Sequence, residues 1–157
     1  MRKLIIITLI LFSTSFSLDI FARGDSYKPL ANFISVLPRM IDDGSGKLCV
    51  VGYDQVAVEL KAKYDNIAFL EIEGISESRF KESNCSIIYI SSGDYSVIEI
   101  ANQAKIPSIS IDENFVDKNG MILIEMGRRS FELTINHKLI KSFKTQFDPF
   151  IEGLIIN

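Results

Sequence analysis

The chain has 157 residues, 47% of them hydrophobic, with 17 basic and 20 acidic side chains and a net charge of −3. That is enough chain for one domain around a single core, and an acidic balance with no basic patch excludes an ordinary nucleic-acid binder. Two cysteines and one histidine are too few ligands for a structural metal site.

In chain order, Arg2 and Lys3 precede an apolar run from Leu4 to Phe12, broken only by Thr8. Small residues follow at Ser13, Thr14, Ser15 and Ser17. This is the three-part layout of a secretory signal peptide. The run falls short of the roughly 20 residues of a membrane span. Cleavage is expected after Ser17 or after Ala22, so residues 1–22 read as the export signal and 23–157 as one exported domain. An uncleaved anchor or a buried first strand is the alternative. Removing residues 1–22 takes away Arg2, Lys3 and Asp19 and leaves the chain slightly more acidic.

The segment SYKPLANFISVLPRM reads as a helix, with Leu30, Phe33, Ile34 and Leu37 on one face. Pro29 suits its first turn, and Pro38 bends or ends it. Asp42 to Gly46 is a turn. Leu48 to Gly52 reads as a short buried strand, and Asp54 stands where it would cap a helix running to Lys63. Ile67 to Ile72 is a second strand and Ser86 to Ile90 a third. Ser96 to Ala104 is a helix and Pro107 to Ile111 a fourth strand. Met121 to Met126 and Ser130 to Ile135 form a hairpin with Gly127 at its turn. Asn136 caps a last helix from His137 to about Phe147.

Apolar strands alternating with helices imply a parallel sheet covered on both faces. The expected fold is therefore α/β, a three-layer sandwich. Its mixed, mostly parallel sheet has about six strands and ends in a C-terminal hairpin and helix.

Cys49 lies near the start of the first strand and Cys85 just before the third. If these strands are parallel neighbours, both cysteines sit at their amino ends, close enough for a bridge. An exported protein also meets an oxidising compartment. The expectation is a structural disulfide; two buried free thiols or a redox switch are the alternatives. There is no CxxC motif. A nucleophilic cysteine lacks a histidine nearby in the chain, since His137 belongs to the last helix.

Polar residues gather at the expected carboxyl edge of the sheet, where open α/β sheets hold ligands. Asp54, Ser92, Asp94 and Asp112 are the candidate crevice for a small molecule; the plainer reading is that Asp54, Ser92 or Asp94, and Asp112 cap the helices that follow them. The sequence carries neither a phosphate loop nor a nucleophile elbow. No nucleophile, base and orienting group come together. No enzyme, cofactor or metal is expected. Phe143, Phe147, Phe150 and Ile151 exceed what one core-facing stripe of the last helix needs. They are candidate partner-binding residues or core closers, and Arg128 and Arg129 are candidates to meet an acidic partner.

The segments LCVVGYD, NCSIIYIS and IPSISIDENFVDKNGMILIEMGRRSFELTINHKL, taken in order, resemble the YfiR-like family of periplasmic proteins. Cys49, Gly52, Cys85, Pro107, Gly120, Met121, Ile122, Ile135 and Asn136 fall on that family's positions, and the likeness spans Tyr27 to Leu154. There are departures. Leu133-Thr134-Ile135-Asn136 stands for the family's Phe-Glu-Ile-Asn. Leu37-Pro38 stands for its Trp-Pro, and Thr145-Gln146-Phe147 replaces its Ser-Ser. A second cysteine pair is missing.

The resemblance implies a disulfide at Cys49 and Cys85, and a repressor that binds the periplasmic domain of a membrane-bound diguanylate cyclase or similar sensor. It implies sequestration by an outer-membrane lipoprotein as well, and a homodimer is a further option. On these grounds the chain is expected to be a periplasmic regulatory adaptor in cyclic di-GMP signalling. The rival readings are a periplasmic small-molecule binding module, a structural envelope subunit and, last, an enzyme.

Overall fold

The computed structural model describes residues 19–40, 47–65, 67–91, 93–127 and 130–143, with side chains from residue 27 onward. Most of the expected export signal, and residues 144–157, lie outside the described residues.

One sheet of six strands carries the fold: β1 Lys47–Val51, β2 Ala68–Leu70, β3 Cys85–Ile90, β4 Ser108–Ser110, β5 Ile122–Met126 and β6 Phe131–Ile135. Their spatial order is β2-β1-β3-β4-β5-β6. Every neighbouring pair is parallel except β5 with β6. The helices are α1 Asp19–Val36, α2 Gln55–Lys63, α3 Glu77–Glu82, α4 Ser96–Gln103 and α5 His137–Phe143, and a 3-10 turn, Leu37–Arg39, follows α1. The expected α/β sandwich with a mixed, mostly parallel sheet and a closing hairpin and helix is what forms.

Side-chain alternation along the strands divides the core in two. Leu48 and Val50 of β1, with Ile87 and Tyr89 of β3, face Leu30 and Ile34 of α1 and Val56 and Leu60 of α2. Cys49 and Val51, with Ile88 and Ile90, face Phe80 of α3 and Val97, Ile98 and Ala101 of α4. Both faces are buried, so the strands read as unbroken apolar runs. Phe33 of α1 stacks on Phe131 of β6 with centroids 4.9 Å apart. The Tyr64 hydroxyl donates to Asn32 Oδ1 at 2.5 Å, fixing the end of α2 to α1.

Two expectations are corrected and one helix is added. Pro29 does not stand in the first turn of the first helix; α1 spans Asp19–Val36 and runs through the proline, which removes one backbone donor without ending the helix. Helix α3 is unforeseen. Its N-cap is Ser76, whose hydroxyl accepts from the Arg79 amide, but Phe80 alone anchors it to the core. Segment 112–119 after β4 is a run of turns and not a helix. There the Asp112 carboxylate accepts from the Asn114 amide at 2.9 Å in a local turn.

Candidate functional site

The order β2-β1-β3 places the first crossover, through α2, on one face of the sheet and the crossovers through α3 and α4 on the other. The chain therefore diverges at the carboxyl ends of β1 and β3, where such sheets open a crevice. Gly52 leaves β1 there at φ +88°, and a Cβ on it would fall on the Ser91 hydroxyl and the Asp94 carboxylate. Only glycine combines that backbone with so close an approach.

The crevice side chains are closed on one another. The Tyr89 hydroxyl donates to Asp54 Oδ2 at 2.6 Å, while Asp54 Oδ1 accepts from the Ala57 amide at 2.8 Å and caps α2. The Ser91 hydroxyl donates to Asp94 Oδ2 at 2.5 Å. The Tyr95 hydroxyl donates to Asp112 Oδ2 at 2.7 Å. Burial, reinforced by the Asp54 carboxylate, pushes the Tyr89 hydroxyl far above the ordinary tyrosine range. The hydrogen bond to Asp112 raises Tyr95. The same bond, with the Asn114 amide behind it, holds Asp112 below the usual carboxylate range.

Each carboxylate thus accepts from a hydroxyl, and each hydroxyl is held protonated or spent on its partner. Such pairs tie together the loops that leave β1, β3 and β4. Among the described residues no three His, Cys, Asp or Glu side chains converge as metal ligands. His137 is exposed at the start of α5, away from the crevice strands β1, β3 and β4 in the sheet order.

Of the expected site residues, the structure brings Asp54 and Asp94 to the β1–β3 crevice and Asp112 to the end of β4 beside it. Ser92, Arg128, Arg129, Phe147, Phe150 and Ile151 lie outside the described residues. Phe143, at the end of α5, is half-buried and packs against the core between sheet and α1. Cys49 and Cys85 form a disulfide with Cα atoms 5.5 Å apart. The register shift between Lys47 and Leu48 sets Cys85 opposite Lys47.

A second concavity escaped the sequence reading. A groove of about 570 Å³ runs along the carboxyl end of β2. Tyr53 is 75% exposed beside it, Ile72 45% and Phe69 36%. Lys61 and the acids Glu71 and Glu73 also line it. The apolar run IAFLEI looks like a buried strand, and nothing local in it says that β2 stands at the sheet margin.

The family described as YfiR/HmsC-like matches residues 30–150, which is well over half of the chain. Among solved structures, a conserved domain protein from Vibrio cholerae O1 biovar eltor is similar to it, with a TM-score of 0.55 and 14% identity. The likeness covers 83% of this chain and 59% of that one, so this chain spans little more than half of its structural neighbour, and the likeness is one of fold. No curated protein matches the chain. Among the described residues no helix is long and apolar enough to cross a membrane.

Proposed function

Because this chain belongs to the YfiR/HmsC-like family, we propose that it is a periplasmic regulator. In this reading it binds and represses the periplasmic domain of a membrane signalling enzyme of the diguanylate cyclase kind. The observation that carries the reading is the family match across residues 30–150, the stretch that builds most of the sheet and its helices. The closed hydroxyl–carboxylate pairs of the crevice support a binding role, since they stiffen the loops into one geometry.

The mechanism is a shift of population. A regulator that binds the inactive state of its receptor more tightly than the active state draws the receptor into it. Moving the receptor from almost wholly active to almost wholly inactive takes about 10⁴-fold preference, roughly 5.5 kcal/mol. The disulfide and the doubly covered sheet supply a rigid body whose surface is presented in one geometry, which reduces the ordering cost of binding.

The test is cellular cyclic di-GMP with the gene deleted and then overexpressed. A rise on deletion and a fall on overexpression is the expected result. Unchanged levels in both strains would remove the assignment to a diguanylate cyclase.

A further inference from the structure

Strand β2 ends the sheet on the side opposite β6, and its outer edge pairs with no other strand among the described residues. Sheet margins are normally guarded by charge, proline or a covering element. The edge residues here, Ala68, Phe69 and Leu70, carry no charge. Beside them Val50 and Leu70 are among the residues that line the groove, and Tyr53, Phe69 and Ile72 stand around it in solvent. Lys61 holds its ammonium 5.8 Å from the centroid of the Phe69 ring, so the groove's lysine is turned onto an aromatic face. Glu71 and Glu73, at the rim, are exposed and in no ion pair among the described residues.

We propose that this margin is a docking site for an extended segment of a partner protein, which joins the sheet alongside β2. It would place an aromatic or branched apolar side chain in the groove and a lysine or arginine against Glu71 and Glu73. The inference rests on the reading of the chain as a binding protein and names the surface that binds. The charges favour a basic partner over a second copy of this chain. A two-fold antiparallel pairing about Phe69 would set each copy's Glu73 opposite the other's Asp65, like charge against like.

The test is an amide NMR titration of the oxidised protein with the capped peptide Lys-Thr-Val-Phe-Val-Thr-Lys. Saturable shifts confined to Tyr53, Lys61 and residues 67–73 are expected. The Glu71→Lys/Glu73→Lys variant should bind about tenfold more weakly or worse, as two rim attractions become repulsions, and Ile72→Asp should not bind. All three positions are exposed, so an unchanged amide spectrum elsewhere verifies the fold. Silence at millimolar peptide, shifts elsewhere, or undiminished affinity in the double variant would overturn the docking site. So would self-association of the wild-type protein that Ile72→Asp abolishes while the peptide stays unbound, which would give the groove to a second copy.

The regulatory reading fails separately. A deletion without effect on cyclic di-GMP, beside a saturable titration, removes the regulator and leaves the groove. A deletion phenotype fully complemented by Ile72→Asp, beside a silent titration, does the reverse.

Discussion

The Tyr89 hydroxyl, carried on a side chain with no solvent exposure, donates to Asp54 Oδ2 across 2.6 Å. Asp54 also holds the first turn of α2 through the Ala57 amide, so one carboxylate joins β3 to the start of the first crossover helix. Asp54→Ala removes a helix cap and leaves a buried hydroxyl unpaired. It should cost about 2–3 kcal/mol, read as a lower midpoint in urea unfolding. A loss within a few tenths of a kcal/mol would mean that water replaces both contacts.

Tyr89 also sets an alkaline limit. Its folded pKa lies above its unfolded one, so its contribution is intact below about pH 10. It is lost as pH rises further, because the unfolded chain ionises and the folded one does not. The slope for one such group is about 1.4 kcal/mol per pH unit. Tyr89→Phe should cost about 1 kcal/mol at neutral pH and flatten the stability curve above pH 10. Parallel curves for the two proteins would contradict this.

Gly52→Ala tests the close approach at the end of β1. The residue sits at φ +88°, and its new methyl would collide with Ser91 and Asp94. The expected loss is at least about 2 kcal/mol from backbone and crowding together. Gly93 has the same φ with open space around it, so Gly93→Ala should show the smaller, purely backbone penalty. Equal losses at the two sites would rule out the steric part.

The disulfide joins residues 36 apart in sequence. A ring of that size should stabilise the fold by about 3–4 kcal/mol in the chain-entropy account. Reduction, or the Cys49→Ser/Cys85→Ser pair, should lower the unfolding midpoint accordingly, with the oxidised and reduced proteins compared in the same denaturant series. Coincident curves would show that the bridge contributes nothing.

Asp112 is the acid-side counterpart. Its folded pKa lies below its unfolded one, so the stability it lends is complete above the ordinary carboxylate range. That stability drains away as pH falls through the depressed value. Tyr95→Phe removes the leading cause, and the carboxyl resonance of Asp112 should then titrate at higher pH. A titration unmoved by the substitution would place the cause elsewhere.

Much of this architecture is legible in the residues. Leu48 to Val51 and Ile87 to Ile90 are apolar at every position because both their faces are covered. Cys49 and Cys85 stand at the starts of what prove to be neighbouring parallel strands. Helix α3 is not legible, since Phe80 is its sole buried side chain and one anchor makes no periodicity. The groove beside β2 is hidden for a different reason. Whether Phe69 is buried depends on which strand lies at the margin, and strand order is a property of the whole chain. The crevice pairs are half-visible. Asp54 announces itself as a cap, whereas its bond to Tyr89 spans 35 residues and leaves no local trace.

Between Cys49 and Cys85 lie α2, β2 and α3, the margin of the sheet opposite β6. The bridge therefore closes a covalent ring whose base is the β1–β3 pair. Thermal opening of the margin is a local event in a tethered lobe: β2 can peel from β1 while the two strands beneath stay cross-linked. Re-annealing then begins from a few ångströms away instead of from a free chain. Amide exchange in β2 should accordingly proceed by sub-global opening, while the strands it leaves behind exchange only with the unfolding of the entire domain.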